Sequence, residues 1–216
     1  MPLNMKNLLA AVKEVKSKST ERKFSQSIDL AMNLQNIDMK KPEGRIQERI
    51  ELPHSVGKKI KVCVIASGEM AFKAKNAGAS LILERPALEA LMADKKKQKN
   101  IAKDYDIFIA EAPLMPLVGK TLGASLGPRG KMPTPVPPNA DIEEQIEKHQ
   151  KTVLVRMRGQ PVLQCRVGNQ EMDDKEIAEN VQAIVRRIEG KLKRGIKNVR
   201  SVYLKTSMGS AIKVSM

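Results

Sequence analysis

The chain has no tryptophan, two tyrosines and three phenylalanines in 216 residues. Single-strand-binding platforms stack successive bases on aromatic rings. Phe24, Phe72, Phe108, Tyr105 and Tyr203 are too few to build one. Histidine and cysteine are as scarce. His54 and His149 stand near neither a cysteine nor a carboxylate pair at ligand spacing, and Cys63 and Cys165 each sit inside an apolar, strand-like run. Buried free thiols are therefore expected, not a disulfide or a metal pair. Nucleophilic and metal-assisted catalysis lose most of their candidates, and no metal or cofactor is expected. No run of about 18 apolar residues occurs and no apolar segment follows the basic N-terminus, so a soluble, cytoplasmic chain without membrane contact is expected. The last shortage is of acid: 24 Asp and Glu face 39 Lys and Arg, a formal charge of +15. That excess goes beyond what folding or solubility needs and marks a chain that meets a polyanion, with nucleic acid as the leading partner. With aromatics so few, folded and mostly double-helical RNA recognised by backbone and shape is the better match.

What is present divides the chain in three. In residues 4–16, Leu8, Leu9, Val12 and Val15 share one helical face. From Phe24 the period changes to two, with Ile28, Leu30, Met32 and Leu34 alternating with Ser27, Asp29, Ala31 and Asn33, and a second alternation runs through Ile46, Ile50 and Leu52. After Gly57 the pattern changes. Residues 60–66 are almost continuously apolar, as a strand covered on both faces would be. A helix around 71–76, a short strand at 80–83, a helix opened by Pro86 and a strand at 106–110 follow. This alternation predicts a small parallel, doubly wound sheet. Asp141 and Glu144 have capping-box spacing for a last helix ending near His149. Past Lys151 the period of two returns through Val153, Val155, Leu163, Cys165 and Val167, with a turn at Gly168-Asn169, and again through Val202 and Leu204. Asp173 and Glu176 are placed to cap a helix striped by Ile177, Val181, Ile184, Val185 and Ile188. Each end alone is too small for a stable core. The expected architecture is α/β: a discontinuous α+β domain from residues 1–56 and 152–216, interrupted by an inserted Rossmann-like three-layer domain at 57–151.

Residues 126–138 are rich in Gly and Pro, which argues against helix or strand and places Arg129 and Lys131 on a stiff, exposed turn where Gly127 and Gly130 supply positive φ. A phosphate-cradling P-loop is excluded. The position of its first glycine holds Ser125, and the position of its magnesium-binding hydroxyl holds Met132. The insert also lacks Gly-x-Gly-x-x-Gly after its first strand, having only Ala66-Ser67-Gly68-Glu69-Met70. A nucleotide-dependent enzyme with Lys131 on phosphate and Asp106 or Glu111 on a metal is the alternative of a different class; a non-specific basic RNA chaperone is a third.

Charge is concentrated at the ends. Residues 57–151 carry 16 basic and 11 acidic side chains, whereas the two ends carry 23 and 13. Residues 186–213 hold nine basic side chains and one acid, Glu189, a sign bias suited to tracking phosphates. The run Lys95-Lys96-Lys97-Gln98-Lys99 suits an exposed loop or helix end. Two segments, Lys23-Phe24-Ser25-Gln26-Ser27 and Thr206-Ser207-Met208-Gly209-Ser210, each offer small hydroxyls beside a flat apolar group. Such groups reach 2′-OH and phosphate oxygens across a shallow RNA minor groove.

Gly-Pro-Arg-Gly-Lys-Met-Pro at 127–133, taken with the Phe24 and Thr206–Ser210 segments, resembles the ribosomal protein L-one family. Ala110-Glu111-Ala112-Pro113-Leu114-Met115-Pro116 is similar to its archaeal branch. The resemblance covers essentially the whole chain. It implies a structural, non-enzymatic constituent of the large ribosomal subunit, bound to rRNA of the mobile stalk near the tRNA exit site. It also implies help in releasing deacylated tRNA, repression of translation through binding of the chain's own mRNA, and a monomer when off the ribosome. Carried across residue by residue, the RNA-contacting positions are Lys23, Phe24, Ser25 and Ser27, then Ser201, Thr206, Ser207, Met208 and Gly209. Arg156, Arg158, Lys193 and Arg194 are expected to join them, with the loop of Gly127, Arg129, Gly130 and Lys131 as a secondary contact. One departure stands out: where many members carry proline after Gly209, this chain has Ser210.

Overall fold

The computed structural model describes residues 4–38, 46–57, 60–138 and 140–215. Its contacts gather into two compact units, Met1–Lys58 with Lys151–Met216, and Lys59–Gln150. Both mix helix and strand, so the chain is α/β.

In the first unit, helix α1 (Met5–Ser17) starts where the Asn4 side chain accepts from the Lys6 amide at 3.2 Å, and it buries Leu8, Ala11, Val12 and Val15. Strands β1 (Ser27–Leu34) and β2 (Gln47–Glu51) are separated in the chain by the whole of the second unit from β7 (Thr152–Arg158), β8 (Gln160–Asn169), β9 (Val199–Thr206) and β10 (Ala211–Val214). The six form one sheet, in the order β10-β9-β1-β8-β7-β2, all pairs antiparallel. β1 lies centrally, with Leu30 opposite both Cys165 and Leu204. The alternation in β1 has its expected effect: Ile28, Leu30, Met32 and Leu34 are buried, and the odd positions face away. Helix α8 (Asp174–Glu189) buries Ile177, Val181, Ile184, Val185 and Ile188, and together with α1 it covers the buried side of the sheet. Among the described residues the opposite side carries no helix of this unit.

Several expectations here are corrected. Gly168 and Asn169 form no turn: β8 runs through them, and the chain turns just beyond, where the Met172 amide bonds to the Asn169 carbonyl. Asp173 flanks α8 without a side-chain cap, and Glu176 lies beside His54 Nδ1 at 3.9 Å. Strand β10 has no counterpart in the sequence reading. Asn180 ties α8 to the chain before Gly57. It is fully buried, accepts from the His54 amide at 3.0 Å, and donates to the His54 and Val167 carbonyls at 3.1 and 2.9 Å.

The second unit is a parallel sheet in the order β4-β3-β5-β6, built from β3 (Val62–Ile65), β4 (Leu81–Leu83), β5 (Ile107–Glu111) and β6 (Thr134–Val136). Its helices are α2 (Gly68–Asn76), α3 (Arg85–Leu91), α4 (Lys95–Asp104), α5 (Met115–Thr121), α6 (Gly123–Leu126) and α7 (Ile142–Gln150). Every β3 residue is buried. Cys63 and Ile65 pack on the side of α3, α4, α5 and α6, Val62 and Val64 on the side of α2 and α7. Fully burying Phe108 on the former side contributes about 2–3 kcal/mol. At α7 half of the capping box forms: Asp141 accepts from the Glu143 amide at 3.0 Å, while Glu144 pairs with Lys148 at 2.6 Å. The Lys95–Lys99 run is the first turn and a half of α4, whose Asp94 cap accepts from the Lys96 and Lys97 amides.

The proline-rich stretch is not wholly irregular. Thr134-Pro135-Val136 is a strand paired with β5 alone, at the sheet edge, where a proline needs no partner for its missing N–H.

Candidate nucleic-acid interface

The antiparallel register decides which segments meet. Ser27 opposes Asn169 and Ile28 opposes Thr206, so the start of β1 and the ends of β8 and β9 lie at one end of the sheet. There the 23–27 and 206–210 segments come together. Gln26 is fully buried between them: its amide donates to Ser19 Oγ (2.9 Å) and the Thr20 carbonyl (2.7 Å), and its Oε1 accepts from the Met208 amide at 3.1 Å. The Ser207 amide bonds to the Ser27 carbonyl at 3.0 Å, and the Gly209 amide to the Thr206 carbonyl at 3.2 Å. A turn held this way presents Met208 59% exposed, while Phe24 is 54% exposed. Lys23, Phe24 and Ser25 line a groove of about 440 Å³ with Glu21, Arg22, Gln170 and Glu171.

Gly209 is required by proximity. A Cβ there would stand 2.2 Å from Thr206 Oγ1. Thr206 itself is fully buried, and among the described residues its hydroxyl has no hydrogen-bond partner.

The uncovered side of the sheet continues from this end. Asp29 is opposite Arg166 on β8 and Lys205 on β9. Burial pushes its carboxyl above the usual range, and the charges of Arg166 and Lys205 oppose that rise. Arg166 also donates to Ser27 Oγ. Further along, Tyr203 is half-buried and Asn33 donates to Ser201 Oγ at 3.0 Å. This side offers cations, amides and hydroxyls with the Asp29 and Glu51 carboxylates among them, which suits a phosphate and ribose surface.

Not every expected residue joins it. Ser201 and Thr206 are buried, so they shape the surface from beneath. Arg156 is half-buried on β7, and the side chain of Arg158 lies outside the described residues. Lys193 and Arg194 are exposed but lie at the other end of the sheet, where Asn198 and Gln35 bond to each other. In the secondary loop, Arg129 is exposed and Gly130 uses a positive φ of 71°, whereas Gly127 has helical backbone. Lys131 is turned inward: its ammonium donates to the Ala102 and Tyr105 carbonyls at 3.1 and 2.6 Å and lies 3.9 Å from Asp106. Those carbonyls sit at the C-terminal end of α4, where a cation is favoured. Gln26, Asp29, Arg166 and Lys205 were missed. Asp29 and Lys205 occupy outward positions of alternating strands, a signal available in the sequence, but only the register brings them together.

The crevice at the carboxyl ends of β3 and β5 is the usual ligand position in such a sheet. Here Glu111, 8% exposed, accepts from the Ser67 amide at 3.0 Å and Ser67 Oγ at 2.8 Å, so the start of α2 already holds a carboxylate of the chain itself. Asp106 and Glu111 bracket β5 at opposite ends, roughly 16 Å apart at strand rise, too far to share a metal ion. Among the described residues no cluster of three or more His, Cys, Asp or Glu is placed to hold a metal, and no helix is long and apolar enough to cross a membrane.

A cationic, hydroxyl-rich sheet face beside a preset turn defines a polyanion-binding protein. Residues 12–210 match the model of the Ribosomal protein L1p/L10e family, and the chain belongs to that family. It is similar to the large ribosomal subunit protein uL1 of Methanothermobacter thermautotrophicus, 44% identical over 207 residues covering 96% of this chain and 98% of the relative. It is also similar to that of Pyrococcus abyssi, 44% identical over 215 residues covering 99% and 98%. The relative from Methanothermococcus thermolithotrophicus is 45% identical over 207 residues covering 96% and 97%. The chain is accordingly a structural, non-enzymatic protein of the large ribosomal subunit, of archaeal type, in the cytoplasm.

Proposed function

We propose that the chain binds large-subunit rRNA of the mobile stalk through the Phe24–Met208 end and the adjoining bare sheet face. The observation that carries this is the Met208 turn. Gln26 fixes its backbone from inside while Met208 and Phe24 stay exposed. A surface ordered before binding loses little conformational entropy on meeting RNA. The discontinuous unit is then the RNA-binding domain, and the unit at 59–150 is an inserted Rossmann-like arm. That arm sits near the tRNA exit site and assists release of deacylated tRNA. The same Met208 surface, when rRNA is saturated, takes the chain's own mRNA and represses its translation. Off the ribosome the protein is a monomer.

Met208→Asp tests the reading. A carboxylate there faces RNA phosphates and loses hydration on contact, so specific affinity at about 150 mM salt is expected to fall roughly a thousandfold, about 4 kcal/mol, with circular dichroism unchanged. A loss under about tenfold removes this turn from the centre of the site. In competition, an mRNA leader fragment that fails to displace the rRNA fragment refutes a shared surface.

A further inference from the structure

The far end of the six-stranded sheet carries a second concentration of charge. β9 places Arg200 and Thr206 six residues apart, about 20 Å along the strand, and Leu34 of β1 pairs with Val199. Helix α8 runs from the Met208 end to this far end, so Arg186 and Arg187 arrive there with Lys191, Lys193, Arg194, Lys197 and Arg200, all exposed.

Three observations set this surface apart. It is built, since the 192–198 loop is pinned from within. Asn198, 4% exposed, accepts from the Arg194 amide at 2.9 Å and donates to the Gln35 carbonyl at 2.9 Å; the Gln35 side chain donates to the Lys197 carbonyl at 3.0 Å. Two acids lie nearby: Glu48 is engaged, 3.1 Å from Arg187 and 3.6 Å from Lys191, and Glu189 lies against Gly195. No ion pair is seen for Arg194, Lys197 or Arg200 among the described residues. Finally, it is turned away. Arg186 and Arg187 stand on α8, which covers the buried side of the sheet opposite the bare face of Asp29 and Lys205, while Arg200 sits at a bulge in β9, between Ser201 opposite Asn33 and Val199 opposite Leu34. An RNA lying on the bare face does not reach Arg186 or Arg187.

We infer that Arg194, Lys197 and Arg200, with Arg186 beside them, form a second phosphate-binding surface for duplex RNA, so that one unit holds two RNA segments at once. Exposed, ordered cations in excess over nearby acids recognise backbone charge and carry no sequence preference. The inference rests on the proposed function only in taking the Met208 end as the specific site.

The test uses the full chain, an unrelated RNA duplex of about 20 base pairs and the specific rRNA fragment, followed by anisotropy between about 50 and 200 mM salt. The triple variant R194A/K197A/R200A is expected to bind the unrelated duplex at least tenfold more weakly, with a salt slope lower by about two to three. Its specific affinity at about 150 mM salt stays within about threefold. Unrelated-duplex binding within twofold of the parent overturns the inference, and leaves a solvated or protein-facing surface. Equal loss for both RNAs overturns it also, since one continuous site then covers both ends. If Met208→Asp leaves specific binding intact while the triple variant loses duplex binding, the proposed specific site fails and the second surface stands. Circular dichroism guards against misfolding, and R194K/K197R/R200K, which keeps the charge, must restore duplex binding or the inference falls.

Discussion

Gly209→Ala isolates the contact on which the Met208 turn depends. Gly209 has no left-handed backbone, so alanine is conformationally allowed and only space opposes it. The new Cβ would lie 2.2 Å from Thr206 Oγ1, about 1 Å closer than contact permits, and Thr206 is fully buried and β-branched, with little rotamer freedom. Either Thr206 leaves its rotamer or the turn moves outward. Overpacking of this kind costs about 1–3 kcal/mol. A displaced turn also breaks the Met208 amide bond to Gln26, so specific RNA affinity should fall at least tenfold, about 1.4 kcal/mol. Thr206→Ala supplies the control. It removes a buried methyl, at about 1 kcal/mol, together with a hydroxyl whose unpartnered burial costs about 1–3 kcal/mol, and so should be near neutral alone. In T206A/G209A the nearest remaining atom of residue 206 is its Cβ at 3.5 Å, an ordinary contact. The double variant should recover about 1–2 kcal/mol relative to additivity. Urea denaturation of the four proteins and their affinities for the rRNA fragment complete the cycle. If Gly209→Ala stays within about 0.5 kcal/mol of the parent, or the double variant shows no recovery, the steric argument is wrong.

Lys131→Met keeps the aliphatic stem and removes the ammonium that satisfies the Ala102 and Tyr105 carbonyls, so urea denaturation should show a loss of about 1–2 kcal/mol, while an unchanged salt slope of RNA binding confirms that this lysine contacts no phosphate. Burial pushes the Cys63 and Cys165 thiols from 9.0 up to about 12, so neither should react with a thiol reagent at about pH 8 until denaturant is added. Because the folded chain keeps these protons while the unfolded chain loses them above about pH 9, their contribution to stability is complete below that pH and is lost progressively toward 12. Urea midpoints that rise between about pH 8 and 10 contradict that sign.

Sequence pattern determined local structure wherever burial has a period. The Ile28–Leu34 alternation, the Ile177–Ile188 stripe and the continuous apolar run of β3 each specify which side chains avoid water, and that choice survives folding because the hydrophobic term is large and non-directional. The Phe24 and Met208 segments were legible as candidates for the same reason in reverse: large apolar groups stand there among small polar ones, with no pattern to bury them. What chain order alone could not decide is partnership. The β1–β9 register joins residues about 180 positions apart, and through it Gln26 finds the Met208 amide and Asp29 finds Lys205, while the β1–β8 register brings Arg166 to Asp29. Likewise, Lys131 looks in sequence like an exposed phosphate ligand. Only the packed end of α4, with two carbonyls lacking intrahelical partners, turns it inward. Separation of the charged 186–213 segment into two ends is of the same kind, since α8 delivers Arg186 and Arg187 to the far end and β9 returns Lys205 to the Met208 end. Hydrophobic periodicity is a property of single elements, whereas hydrogen bonds and ion pairs are short-ranged and directional, so their partners exist only once the elements have docked.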